Sequence, residues 1–314
     1  MTDTVGHGTA VAGMIAASMD NQLGVAGFMP EVSIYPIKIF GNSNETTDEN
    51  VVDGIYKAIS RNVDVINLSL GGTNYSRSLD IACETAASKG IIVVAASGND
   101  GDRGNPVNYP AAQSNTISVG AVDKDNNKAA FSTYNNMVDV VAPGQGVVLL
   151  GIGSNGSYTK SNGTSFACPI VSALAAMAKA ESKTQGKTMN LGNFRTLLQN
   201  TADDLGAPGK DPYFGYGIAN FEDAYSYIKG GTHNWGASRI VKKASFTTNG
   251  IIEQECTDTG CAVTQHVKIP RVYYAGVTNP GLTYNGKVQQ PGLVLRDAAG
   301  NSLDPEIYSY YISS

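Results

Sequence analysis

The sequence predicts an α/β protein with a mostly parallel sheet and helices on both faces, followed by small all-β C-terminal modules. Three observations carry that expectation. Up to about residue 229, strand-like apolar runs alternate with segments of helical period, as strands joined by crossover helices do. Ile91-Ile-Val-Val-Ala-Ala96 is apolar on both faces, which suits a parallel strand covered from both sides. After Lys229-Gly230-Gly231 the helical period stops, and short alternating stretches rich in Thr, Val, Tyr, Gly and Pro take over. The chain therefore divides into an α/β domain over 1–229, a small cysteine-bearing β unit over 230–271 and a further β unit over 272–314, the last incomplete at its end.

Each element has a local reason. His7 opens a helix through Ala17 whose small residues Ala10, Gly13 and Ala17 let it press against neighbouring backbone. Ile34 to Phe40 is β-prone, although Pro36 removes a ladder donor. Thr46-Thr47-Asp48-Glu49 offers a capping box before a helix with Val52, Ile55, Tyr56 and Ile59 on one face. Val63 to Leu70 reads as a buried strand emptying into Gly71-Gly72. A helix over Ser78–Lys89 stops at Gly90. Strands are expected at Thr116–Val122 and Val138–Ala142, with a hairpin between Val147 and Tyr158. Helices are expected at Ser165–Lys179, Leu191–Thr201 and Phe221–Ile228, with Pro169 in the first turn of its helix, where a missing donor costs little.

Composition removes several classes. At 314 residues the chain exceeds one compact domain. Charged residues are 16% against roughly 25% in an average globular chain, and 42% are hydrophobic, which excludes a disordered or coiled-coil protein. The 36 glycines show no three-residue period, so collagen is excluded. A net charge of −5 argues against a nucleic-acid partner. No apolar stretch approaches the roughly 18 residues of a membrane span. A secretory leader is not seen at the start, but the chain is already inside a motif by Gly6-His7-Gly8, so its first residue is not expected to be a mature terminus.

Three places carry candidate chemistry. His7, the single histidine of the α/β region, is either a helix-start residue satisfied locally or the one imidazole base available there. Ser165, in Asn162-Gly163-Thr164-Ser165, is either a helix cap or a hydroxyl placed where unsatisfied N–H groups favour developing negative charge. Asn99 ends Ala95-Ala96-Ser97-Gly98-Asn99, where a buried strand empties into a turn; it is either turn chemistry or an amide donor aimed at an oxyanion. Cys83 and Cys168 lie in small apolar helical patterns and read as core residues.

Taken together, these motifs resemble the catalytic domain of a subtilisin-like serine protease, a subtilase. Gly6-His7-Gly8-Thr9 is similar to the family's histidine motif, Ser69-Leu70-Gly71-Gly72 to its substrate-binding strand, Ser97-Gly98-Asn99 to its oxyanion segment and Gly163-Thr164-Ser165 to its nucleophile motif. His7, Asn99 and Ser165 follow in the family's order, spaced by 92 and 66 positions. The resemblance implies peptide hydrolysis by acyl transfer: Ser165 attacks, His7 moves the proton, and Asn99 with the Ser165 N–H binds the oxyanion. It implies that Ser69, Leu70 and Gly71 pair with the substrate main chain, and that Ala95, Ala96, Ser97, Gly98 and Asn108 line the pocket for the residue preceding the cut. Asp100 at the rim is expected to favour a basic side chain there.

The departure from the family pattern is the aspartate expected some thirty residues or more before the histidine. Only six residues precede His7, and Asp3 among them lies in a connecting segment. Without that carboxylate, kcat falls about 10⁴-fold. Residues 1–314 are thus expected to be a fragment of a longer gene product, and a non-catalytic peptide-binding or adhesion protein on the same fold is the alternative. No cofactor is obligatory. Asp20-Asn21-Gln22-Leu23-Gly24 reads as a calcium loop or a plain solvated turn, and no metal is assigned.

In the tail, Leu282–Lys287, Leu293–Asn301 and Tyr308–Tyr310 resemble Ig-like repeats of bacterial cell-surface proteins, and Lys243–Gly250 with Cys256 and Cys261 resembles the short modules that accompany them. The resemblance implies a secreted or surface-attached bacterial protein acting on polypeptides, with the tail serving cell-wall or surface attachment. Cys256 and Cys261, with His266 and His233, leave a zinc site, a disulfide and free thiols all open.

Overall fold

Successive side chains of a strand point to opposite faces, so a strand apolar throughout must be covered twice. The computed structural model describes residues 2–230 apart from 42, 44 and 154–156, and beyond them 236–243, 245, 250–255, 257, 264–269, 274–278, 292–296 and 302–303. In chain order the elements are α1 (His7–Ala16), α2 (Asp48–Ser60), β1 (Val65–Leu68), α3 (Arg77–Ser88), β2 (Ile92–Ala96), β3 (Ile117–Val122), β4 (Val138–Pro143), β5 (Val147–Leu150), β6 (Tyr158–Ser161), α4 (Thr164–Thr184), α5 (Leu191–Thr201) and α6 (Phe221–Lys229). The central sheet runs β1-β2-β3-β4 with every pairing parallel.

The alternation within β2 assigns the layers. Ile92, Val94 and Ala96 join a cluster with residues of α1, α4, α5 and α6. Val93 and Ala95 join the opposite cluster with α2 and α3. Both faces of the sheet are therefore sealed, as the sequence predicts. Helices α2 and α3 start where side chains cap them: Thr47 accepts from the Asn50 N–H at 3.3 Å and Ser76 from the Leu79 N–H at 3.4 Å. The cap of α2 is thus Thr47, one residue later than the capping box predicted.

One predicted strand is not formed. Residues 33–40 form no helix and join no ladder among the described residues, and β1 is the edge of the central sheet. Ile37 and Ile39 instead pack against the α2 and α3 side of the core, with Ile39 seated against Gly54 of α2, where even a methyl group would crowd it at 2.9 Å. The apolar pattern there registers burial; a ladder needs a neighbouring strand as well. The expected hairpin is present as antiparallel β5 and β6.

Beyond residue 230 the described strands are β7 (Arg239–Lys242), β8 (Gly250–Glu255), β9 (Thr264–Ile269), β10 (Tyr274–Thr278), β11 (Gly292–Arg296) and β12 (Ser302–Leu303). They pair antiparallel as β7-β8-β9 and β10-β11-β12. Cys256, Cys261, His233, Leu282–Lys287 and Tyr308–Tyr310 lie outside the described residues, as does the side chain of His266.

A buried carboxylate fixes the far end of the sheet. Asp139 of β4, 2% exposed, accepts from the Ser118 N–H at 3.0 Å and from Arg195 Nε at 3.0 Å, with Lys210 Nζ at 3.6 Å. Arg195 also donates to the Thr116 and Ser114 carbonyls at 2.7 and 3.2 Å. Removing one member of such a set strands the others without partners. Asp139→Ala is expected to cost about 3–5 kcal/mol, measured as a lower urea midpoint at unchanged m-value.

Candidate active site

Strands β1 and β2 run side by side in the same direction, so the segments that leave their C-terminal ends, 69–72 and 97–100, emerge together. Ligands of open parallel sheets bind at that edge. Helix α4 begins against the same place. The Thr164 N–H and Thr164 Oγ1 both donate to Asn99 Oδ1 at 2.9 Å, and the Gly98 N–H reaches Thr164 Oγ1 at 3.3 Å. With its oxygen held by two donors, the Asn99 carboxamide has a fixed orientation. Its Nδ2 has no hydrogen-bond partner among the described residues. Gly98 makes the turn possible: its φ is +111°, and a Cβ there would overlap the Asn108 amide and lie 2.9 Å from Thr133 Oγ1.

Ser165 follows Thr164 in the first turn of α4. Its Oγ donates to the Ser69 carbonyl at 3.3 Å, and Ser69 Oγ donates in return to the Ser165 carbonyl at 2.7 Å. The second bond has a cause in the helix itself. Pro169 has no N–H, so the Ser165 carbonyl four residues earlier has no helical donor. Because α4 starts at Thr164, Pro169 lies beyond the first turn in which it was expected, and the orphaned acceptor is met by a side chain from across the site.

His7 starts α1, which packs on α4. Its ring lies 5.7 Å from that of Phe166, between centroids, with a 47° tilt, which puts the imidazole beside the first turn of α4. Burial pulls the His7 pKa below the ordinary imidazole value, and attraction to Asp3 opposes this in part. Among the described residues no carboxylate accepts a hydrogen bond from His7. Asp3 is occupied otherwise: Oδ1 accepts from the Val5 and Gly6 N–H groups at 3.0 and 2.8 Å, and Oδ2 from the Thr9 N–H and hydroxyl, both at 2.8 Å. It supplies the cap that Gly6, with no side chain at the N-cap, cannot. Burial pushes the Asp3 pKa up, but the donors from Gly6, Thr9 and Val5 outweigh it and hold the carboxyl well below the usual carboxylate range.

The candidate binding residues come from three neighbouring segments. Gly72 and Tyr109 exchange backbone bonds at 2.9 and 2.8 Å, which sets 69–72 against 108–110. Asn108, 6% exposed, sits between Gly71 and Gly98 and donates to the Pro106 carbonyl. Ala95 packs with the α2 and α3 cluster and Ala96 with the α4 cluster, while Leu70 leans on the former. The Ser97 hydroxyl is buried and donates to the Thr133 carbonyl at 2.9 Å. Asp100 is at the rim, paired with Arg103 at 2.9 Å.

Three contributors were not singled out by the sequence. Thr164 carries the lock on Asn99 and sits in plain view within Gly-Thr-Ser. Asn67 donates to Ser69 Oγ at 3.0 Å, and a polar residue inside Val-Ile-Asn-Leu was the available sign. Nothing in the sequence marks Arg103. Cys83 and Cys168 are core residues as expected, and burial pushes both thiols up to about 12, so neither supplies a thiolate.

A model of the subtilase family matches residues 1–217. The chain belongs to the subtilase family. Subtilisin DY of Bacillus licheniformis is 41% identical over 225 residues, which cover 71% of this chain and 78% of that protein. Subtilisin Savinase of Lederbergia lenta is 39% identical over 222 residues, with the same coverage of 71% and 78%. Among solved structures, the prenylagaramide maturation protease PagA matches with a TM-score of 0.63 at 25% identity, covering 72% of this chain and 83% of that one. The protein is accordingly a serine endopeptidase of the subtilisin type. No helix among the described residues is long and apolar enough to cross a membrane.

The Asp3 cap gives this subtilase a pH signature. A carboxylate whose folded pKa is depressed stabilises above its unfolded value, near 4, and loses that contribution as pH falls through the lower folded value. Asp3→Ala is expected to cost about 1 kcal/mol near neutrality. The gap between variant and parent should narrow steadily in urea titrations below about pH 4.

Proposed function

We propose that this subtilase cleaves internal peptide bonds through an acyl-enzyme, with Ser165 as nucleophile, His7 as the base that later protonates the leaving amine, and Asn99 Nδ2 with the Ser165 N–H as oxyanion donors. The double lock of Thr164 on Asn99 Oδ1 supports this reading most directly. An amide that already has its oxygen satisfied can turn only its N–H₂ toward developing charge, and it does so at no reorganisation cost. The half-buried imidazole, whose pKa burial lowers, suits proton abstraction, and the backbone of Ser69, Leu70 and Gly71 offers an edge to which an extended substrate adds as a strand.

The same reading assigns the pocket for the residue preceding the cut to Ala95, Ala96, Ser97, Gly98, Asp100 and Asn108, through main chain more than side chain. It also proposes export to the exterior of a bacterial cell, with the units over 230–271 and 272–314 as surface-attachment modules and the Asp20–Gly24 turn as a place for structural calcium. The rival, an impaired enzyme retained as a peptide binder, is favoured by one observation: among the described residues His7 lacks a hydrogen-bonded carboxylate.

Fluorophosphonate labelling separates the two. Labelling abolished in Ser165→Ala supports the hydrolase, and absence of labelling in the parent protein supports the binder. For the hydrolase, the acid limb of kcat/KM is expected below about pH 6.5, the ordinary imidazole value, because burial favours neutral His7. Asp3→Asn removes the opposing attraction and should move that limb lower still.

The pairing of Asp100 with Arg103 points to a masked preference for a basic residue before the cut. Arg103 pairs with Asp100 at 2.9 Å and donates to the Asn99 carbonyl at 2.9 Å, so the rim carries an ion pair where a lone carboxylate was expected. The nearby Asp102 is shared, with Arg103 at 4.0 Å on one side and the attraction of Lys128 on the other. The parent enzyme should discriminate little between Lys and Glu before the cut. In Arg103→Gln the ratio of kcat/KM for Lys over Glu should rise by about 3- to 5-fold, the scale of an exposed ion pair.

A further inference from the structure

The hydroxyl of Ser69 fills a place that the sequence of α4 leaves vacant. Inside a helix the Ser165 carbonyl accepts from the N–H four residues on, but that residue is Pro169. The acceptor belongs to the residue that carries the nucleophilic Oγ, so whatever satisfies it also holds that residue. Ser69 Oγ does so at 2.7 Å, a short bond from an element remote in the chain. Ser69 Oγ in turn accepts from Asn67 Nδ2 at 3.0 Å, which orients its proton toward Ser165. The Asn67 amide is itself fixed, because Oδ1 accepts from Ser172 Oγ at 2.9 Å. Ser165, Cys168 and Ser172 share one face of α4, and the Cys168 thiol sits among Ser69, Ser172 and the Leu68 main chain. The edge strand β1 and the turn after it therefore grip α4 at the Ser165 carbonyl and again two turns further along.

We propose that Ser69, oriented by Asn67, is a positioning residue for the nucleophile, its hydroxyl replacing the helical donor that Pro169 removes. This rests on Ser165 being the nucleophile. Thr164, just before Ser165, is held by Asn99, and the Ser165 carbonyl is held by Ser69, so the reacting hydroxyl hangs between two clamps. Losing one clamp lets the first turn of α4 shift by a fraction of an ångström, and displacements of that order have large effects on rate.

The test combines kinetics with rescue. In Ser69→Ala, kcat and the rate of fluorophosphonate labelling should both fall about 10-fold or more, while KM for a peptide substrate stays within about 2-fold because the main chain that meets the substrate is untouched. Ser69→Thr, which keeps the hydroxyl, should retain most of the rate. Pro169→Ala supplies the missing N–H, so in that background Ser69→Ala should lose far less. Asn67→Leu should reproduce the kcat effect in weaker form. An unchanged kcat in Ser69→Ala, a loss confined to KM, or no recovery with Pro169→Ala would each overturn the proposal. Amide exchange over residues 164–168 reads the same clamp without turnover and should accelerate in Ser69→Ala. A parent protein that neither cleaves nor labels would therefore count against the hydrolase reading, and unchanged exchange would count against the clamp.

Discussion

Everything at the site depends on where α4 begins. Its first residue, Thr164, gives both its N–H and its hydroxyl to Asn99, and its second, Ser165, exchanges bonds with Ser69. A helix that long, 21 residues and mostly buried against the sheet, cannot slide or rotate without unpacking much of the core. The rigid body of α4 thus sets the height of the serine, and the polar bonds at its first turn set the direction in which the serine and the neighbouring carboxamide point. Apolar packing and hydrogen bonding divide the task between position and orientation.

The parallel sheet supplies the other half of the geometry. Because β1 and β2 are adjacent and parallel, the turns that follow them open on the same side, and Gly98 lets the second turn approach Asn108 closely. The sheet is itself pinned at β4 by Asp139, whose two cationic partners and one backbone donor are satisfied inside the protein. A buried charge of this kind is tolerated only because every one of its partners is in place.

Electrostatics at His7 follow from the same economy of partners. Asp3 is close enough to attract the imidazole, yet both of its oxygens are taken by donors from the start of α1, so it acts on His7 through space and on the helix through bonds. Near Asn99, Arg103 pairs with Asp100 and lies 4.0 Å from Asp102, which also attracts Lys128.

The sequence by itself determined the layered α/β fold and marked the three leading residues. The wholly apolar run Ile91–Ala96, the helical periods of α2 and α3, and the motifs around His7, Asn99 and Ser165 are local patterns, and local patterns survive without knowledge of neighbours. What only the tertiary structure decided are matters of pairing. Residues 33–40 have strand composition but pair with no strand among the described residues. Asp100 has the charge for a basic ligand, yet Arg103 takes it. Pro169 leaves an acceptor bare, and the hydroxyl that answers it lies 96 positions away along the chain. A residue type announces which partners it needs; which partner it obtains is fixed only when the folded chain brings distant segments within hydrogen-bonding distance.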